Sequence, residues 1–215
     1  MENAAAPFTQ SRSALYLIPM SAAPLVITTE RLILTLPPPE FAPEVVEYFR
    51  FNRIHHERWN PEYPPEAFTE SYWRARLLMH RHELAEGVSL RLILLGKDPL
   101  EGRVIGHCNF TNFERAAFQG CRLGYGLDRR YEGKGLMSEA LRGAICHVFA
   151  NMGIHRIAAN YLPTNQRSAA VLRRLGFAIE GYARDYLMIG GAWRDHVLTA
   201  LANQNWGHPQ SRDSL

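Results

Sequence analysis

The residues best suited to chemistry lie in one run, Arg129-Arg130-Tyr131-Glu132-Gly133-Lys134-Gly135-Leu136-Met137. Two glycines within three residues let the backbone bend and let a ligand approach the main chain. The run opens a helix, whose first N–H groups lack intrahelical partners and sit at the positive end of the helix dipole. Such a place suits phosphate oxygens, and Arg129, Arg130 and Lys134 bring positive charge to it. Two common phosphate loops do not fit. A nucleotide-triphosphate loop requires Ser or Thr after the lysine, and Gly135 follows Lys134. A dinucleotide fingerprint would place a third glycine at Ser138 and an acidic residue about twenty positions later. No Asp or Glu stands between Glu139 and Glu180.

Other reactive side chains have plainer readings. His55-His56 and His80-x-His82 lack a third ligand at metal-binding spacing, so they read as solvated histidines and no metal is expected. Cys121 reads as a buried strand cysteine rather than a nucleophile. Tyr63, Tyr72 and Trp73 suit an acceptor cleft or the core equally well.

Alternating strands and helices must position the loop. Leu136, Met137, Ala140, Leu141, Ala144, Ile145, Val148, Phe149 and Met152 form one apolar helical stripe, to be buried against a sheet. A strand over Cys121–Leu127 leads into the loop. A strand over Arg156–Tyr161 follows the helix, then a short helix over Asn165–Leu175 stopped by Gly176. Upstream, Leu25–Leu36 reads as one strand stopped by three prolines, and Glu40–Phe51 as a helix. Residues 52–68 read as loop, Glu70–Glu86 as a second helix, and Val88–Leu95 with Arg103–Phe113 as a strand pair. Phe177–Ile189 and Trp193–Leu201 read as a final hairpin turning at Gly190-Gly191. No repeat or linker divides the chain. One domain is expected over 24–206, between an arm at 1–23 and a tail at 207–215.

Composition narrows the class. Of 215 residues 47% are hydrophobic, enough for a core without staples, and 24 Lys and Arg nearly balance 21 Asp and Glu. That balance excludes a nucleic-acid coat or an acidic tail, and no direct nucleic-acid requirement is expected. Residues 140–179 nevertheless hold five arginines and no Asp, Glu or Lys, while the rest of the chain is net negative. This basic block follows the phosphate loop. Three widely spaced cysteines suggest no disulfide framework and point to a reducing cytoplasm. The apolar run at residues 14–20 is short, carries Pro19 and lacks a basic leader, which weighs against a signal peptide. Nothing approaches a membrane span.

The spacing Arg130-x-x-Gly133-x-Gly135 resembles the pyrophosphate loop of the GNAT N-acetyltransferases. The downstream His155-Arg156-Ile157, Tyr161-Leu162-Pro163-Thr164-Asn165-Gln166-Arg167-Ser168 and Leu175-Gly176-Phe177 resemble the second half of that fold. Thr29-Glu30-Arg31-Leu32-Ile33-Leu34 is similar to the first strand of the ribosomal-protein branch. Glu180–Leu187 with Trp193–Leu198 resembles the enzymes that acetylate the N-terminal alanine of a small-subunit ribosomal protein. The resemblance implies an α/β fold with a mixed, largely antiparallel sheet of about seven strands and about four helices, splayed between central strands. It also implies acetyl-CoA as cosubstrate, a protein N-terminus as acceptor, and a monomer or homodimer. Leu127, Arg129, Arg130, Gly133, Lys134, Gly135, Leu136, Met137, Asn165 and Ser168 are implied to hold acetyl-CoA. Ser168 and Asn165 are implied to attend the thioester.

The acid and base of the family do not carry over. Where many relatives have a Glu before the phosphate loop this chain has Arg122, and Leu172 and Leu187 replace a Tyr and a Glu found elsewhere. Asp185, Glu180 and Asp195 are the remaining carboxylates for a base, Asp185 ranked first for its position. Asp185 reads equally as a surface partner of Arg184 or Arg194. The acceptor eases the demand on any base. An α-amine with a pKa near 7.8 is about one-third neutral at pH 7.5, whereas a lysine near 10.4 is only about 0.1% neutral. A small-molecule amine acceptor, or an acetyl-CoA-binding module without catalysis, are the competing readings.

Overall fold

The computed structural model describes residues 25–97 and 102–207. Among these, eight strands make one sheet. Its order is β1 (Val26–Thr28), β2 (Leu32–Thr35), β3 (Leu90–Gly96), β4 (Val104–Glu114), β5 (Gly120–Leu127), β6 (Arg156–Tyr161), β8 (Ala192–Ala202) and β7 (Ala178–Ile189). All neighbours are antiparallel except β5 and β6, which run parallel. Helices α1 (Ala42–Glu57), α2 (Glu70–Ala85), α3 (Leu136–Asn151) and α4 (Gln166–Arg174) complete this α/β fold. No helix among the described residues is long and apolar enough to cross a membrane. The arm at 1–23 and the tail beyond Gly207 lie outside the described residues.

Two expectations are corrected. The strand read over Leu25–Leu36 is two strands, because the chain turns at Thr29–Arg31, where the Thr29 N–H donates to the Leu32 carbonyl at 2.9 Å. The sheet therefore has eight strands rather than about seven. The first helix does not stop at Phe51 but runs to Glu57, since no Gly or Pro interrupts it before Pro61. Residues 52–57, read as loop, thus belong to α1 and carry His55 and His56 toward the cleft described below.

Strand alternation sorts side chains onto two faces. Cys108 and Phe110 of β4, Cys121 and Leu123 of β5, Ile157 and Ala159 of β6 and Leu172 of α4 pack with the apolar stripe of α3 in one buried cluster. The opposite face carries a second cluster, in which Tyr48 and Phe49 of α1 and Trp73 and Leu77 of α2 cover Ile93 of β3. Gly124 and Gly126 of β5, Asn160 of β6 and His196 of β8 belong to this second face by their register. Between β5 and β6 only Gly120–Arg156, Cys121–Ile157 and Arg122–Ala158 are paired. Beyond them the two strands splay apart.

Candidate active site

The splay opens a cleft of about 1050 Å³, at the upper end of small-molecule sites. On the α3 side its floor is the glycine loop. Gly133 and Gly135 have φ of 76° and 78°, which a side chain would strain, and Gly135 caps α3. The first α3 hydrogen bond is Glu139 N–H to the Gly135 carbonyl, so the N–H groups of Leu136, Met137 and Ser138 have no intrahelical partner. A Cβ built on Gly133 would meet nothing within 4 Å, which leaves the backbone approachable. These features fit the pyrophosphate of a coenzyme A.

The charges beside the loop are arranged otherwise than its sequence suggests. Asp128, fully buried, accepts hydrogen bonds from the Arg130 backbone at 2.9 Å and from the Arg130 Nη2 at 2.5 Å. Burial alone would raise the Asp128 carboxyl, but the Arg130 and Asn52 hydrogen bonds outweigh it and hold the carboxyl below its ordinary range. Arg130 lies 3.9 Å over the Phe51 ring and Arg129 4.9 Å. Both brace the loop against α1, and neither they nor Lys134 lines the cleft. Leu127, Gly133, Gly135, Leu136, Met137, Asn165 and Ser168 do line it. The cations that join them are Arg31, Arg142, Arg167 and Arg174. Arg31 is fixed by Glu139, which accepts from its backbone N–H at 2.8 Å and its Nε at 2.7 Å, while its Nη1 donates to the Lys134 carbonyl. Nothing in the local sequence joins Arg31 to a loop a hundred residues away; the β1–β2 turn does so. Of the basic block, Arg142, Arg167 and Arg174 line the cleft, Arg167 paired there with Glu132, whereas Arg156 pairs with Glu180 outside it.

Where β5 and α4 meet, Ser168 Oγ and the Tyr125 hydroxyl lie 2.8 Å apart. Asn165 caps α4, its Oδ1 accepting from the Ser168 N–H at 3.1 Å, and so holds Ser168 at the helix start. Burial pushes the Tyr125 phenol up to about 12, the Ser168 hydrogen bond offsetting only part of this. The pair therefore stays protonated at neutral pH. Leu172, where many relatives carry a Tyr, is buried in the α3 cluster, and the phenol that reaches Ser168 is Tyr125. Its partnership with Ser168 spans forty-three positions and is visible only in the fold.

The far face of the cleft is lined by His55, His56, Trp59 and Asn60 from the end of α1, and by Gly124, Gly126, Asn160 and His196 from the sheet. The reading of the histidine pairs as solvated is corrected here: His56 and His80 are buried, because α1 and α2 turn them inward. His55 Nε2 lies 2.8 Å from Glu132. His56 Nε2 donates to the Leu127 carbonyl at 3.1 Å, its Nδ1 is buried without a partner, and burial lowers its pKa. His107, beneath Gly126, is pulled down to about 3 by burial and faces the Tyr48 hydroxyl. Among the described residues no cluster of three His, Cys, Asp or Glu could hold a metal ion. Tyr63, Tyr72 and Trp73 join the second core cluster, with Trp73 stacked 4.4 Å from Phe49.

The structure does not bring Asp185 to Ser168 and Asn165. Asp185 sits exposed at φ 45° in a register shift of β7 between Ala183 and Leu187, its N–H donating to Asp195 at 2.9 Å. Asp195 accepts from the Tyr182 hydroxyl at 2.7 Å, and Glu180 pairs with Arg156. The Asp195 and Glu180 carboxylates are held in polar contacts of their own, and none of the three lines the cleft. The bulge that turns Asp185 outward has no mark in the sequence.

Comparison with known proteins gives a consistent answer. Residues 31–178 match the acetyltransferase (GNAT) domain. The chain is 43% identical over 180 residues to the [ribosomal protein uS5]-alanine N-acetyltransferase of Escherichia coli, covering 84% of this chain and 92% of that protein. Its fold matches the crystal structure of ribosomal-protein-S5-alanine acetyltransferase from Vibrio fischeri, with a TM-score of 0.80, 35% identity and coverage of 85% and 98%. Mycobacterium smegmatis RimJ in complex with CoA-disulfide superposes with a TM-score of 0.75 at 26% identity, covering 88% of this chain and 90% of that one.

Proposed function

The chain belongs to the GNAT acetyltransferase family, and we propose that it transfers acetyl from acetyl-CoA to a protein N-terminal α-amine, that of the alanine opening a small-subunit ribosomal protein. The carrying observation is the cleft that pierces the sheet, with the glycine loop on one face and open space over Gly124 on the other. In this reading the α3 N-terminus holds the pyrophosphate, and Arg31, Arg142 and Arg174 supply positive charge around the phosphates. The acceptor of the relatives, the alanine of ribosomal protein uS5 or S5, supports the acceptor class. A cytoplasmic enzyme with residues 24–206 as its catalytic domain fits that acceptor.

Acetyl-CoA brings an activated acyl group; the protein must orient it, admit the amine and ease departure of the thiolate. Ser168 and Tyr125, two protonated hydroxyls in contact, are the groups to hydrogen-bond the departing sulfur and return a proton to it. Asn165 acts by fixing Ser168. The test is mass spectrometry of peptides with N-terminal Ala or Ser, incubated with protein and acetyl-CoA, beside a panel of polyamines and amino acids. Acetylation at the peptide α-amine is expected. Turnover only on small amines would move the acceptor class, and cofactor binding without any turnover would favour a binding module.

A further inference from the structure

The cleft has two faces, and the residues considered so far for chemistry, Ser168, Tyr125 and the glycine loop, all lie on the α3 side. The amine must arrive from the other, where the sheet presents Gly124, Gly126, Asn160 and His196. His196 is only 3% exposed, on β8 beside the splay. Its Nδ1 is 3.0 Å from the Arg194 carbonyl. A carbonyl can only accept, so Nδ1 carries the hydrogen, and the neutral ring keeps its lone pair on Nε2. Among the described residues Nε2 has no hydrogen-bond partner, and unlike Nδ1 of His56 it is not sealed from the cleft. The ring is held by Tyr186, 5.4 Å away, whose hydroxyl accepts from Asn160 at 2.9 Å.

We propose that His196 is the general base of the reaction, taking the proton from the incoming amine on the acceptor face. As the amine nitrogen forms its bond to the acyl carbon, its proton passes to Nε2. The carbon–sulfur bond breaks, the thiolate receives a proton from the Ser168–Tyr125 pair, and the imidazolium and that pair re-equilibrate with water. An imidazole nitrogen with a free lone pair can take the proton that the amine sheds as its bond to carbon forms. The titratable groups around the ring are Tyr186 on β7, Asp195 beside it on β8, and His55, His56 and Glu132 across the cleft. Tyr186 is the one in ring contact, Glu132 is engaged with His55 and Arg167, and the free nitrogen of His56 is enclosed. His196 supplies a lone pair the acidic candidates do not, since those lie outside the cleft.

This assignment rests on the acetyl-transfer reading, and the two fail separately: absence of any peptide acetylation by the wild type defeats that reading, whereas the pH profile and variant test His196. If a neutral imidazole and a neutral amine are both required, log kcat/KM of the wild type falls on the acid side with a limiting slope of two, one step from each group. His196→Gln lowers kcat about 100-fold, reduces that slope to one, and leaves coenzyme A affinity and Tm near wild type. A wild-type slope of one overturns the assignment without any variant. So does a Gln variant that keeps its rate, or that slows while keeping the slope of two. Should the Gln variant not fold, His196→Asn and the wild-type slope carry the test.

Discussion

Single side chains here do work that their neighbours in sequence conceal. Ser168→Ala and Tyr125→Phe each remove one hydroxyl from a pair that meets only at the cleft. Either change is expected to lower kcat about tenfold to 100-fold while leaving coenzyme A affinity within about twofold, read by steady-state kinetics and calorimetry. A simultaneous loss of affinity would mean the pair holds the ligand rather than serving the thiolate. Asp128 works on stability instead. Its folded pKa is depressed, so the stability it contributes is complete above the ordinary aspartate range and is lost as pH falls through the folded value. Asp128→Asn is expected to cost about 2–3 kcal/mol in urea unfolding at pH 7, with the gap from wild type narrowing only below about pH 4. A gap independent of pH would show that the hydrogen-bond geometry, not the charge, is what matters.

At the scale of elements, β5 is the strand that divides substrate from substrate in the proposed reaction. Its odd-numbered side chains from Cys121 to Leu127 serve the α3 face, and Gly124 and Gly126 keep the other face bare. A Cβ at Gly124 would meet nothing within 4 Å, whereas one at Gly126 would strike the His107 ring at 2.6 Å. Gly124→Val is therefore expected to fold normally and bind coenzyme A, but to raise the peptide KM several-fold. Gly126→Val is expected to be destabilised, and thermal melts separate the two. Much at this scale was legible in the sequence. The α3 stripe ends within one residue of its observed limit, and Arg156–Tyr161 matches β6, because hydrophobic period and flanking glycines agree there. Asn165 could be read as opening a helix because capping chemistry is local. What escaped is non-local: the β1–β2 turn that carries Arg31 to α3, the bulge that removes Asp185, and the face on which His196 lies. The end of α1 escaped for a different reason, since Asn52 and the two histidines neither favour nor forbid another turn of helix.

Across the whole molecule the nearly balanced charge conceals a basic wall. Arg31, Arg142, Arg167 and Arg174 line the cleft; Arg31 is paired with Glu139 and Arg167 with Glu132, which leaves Arg142 and Arg174 as its arginines without a carboxylate partner among the described residues. Coenzyme A affinity is expected to fall several-fold as ionic strength rises from low to about 0.5 M, whereas peptide KM changes less; titration calorimetry at both salts checks this. The splay has a mechanical side as well. Among the described residues the backbone seam between the β1–β5 half of the sheet and the β6–β8–β7 half is three residue pairs and the Gln119 carbonyl, which accepts from the His155 and Arg156 N–H groups. A ladder that short is a fault line, so amides of β6 and of the unpaired stretch of β5 should exchange with deuterium sooner than those of β3 and β4. A ligand lodged between the halves becomes mortar for them, stabilising the fold by about 2.7 kcal/mol at one hundred times its Kd. The enzyme would then be most cohesive when loaded, and loosest just after product leaves.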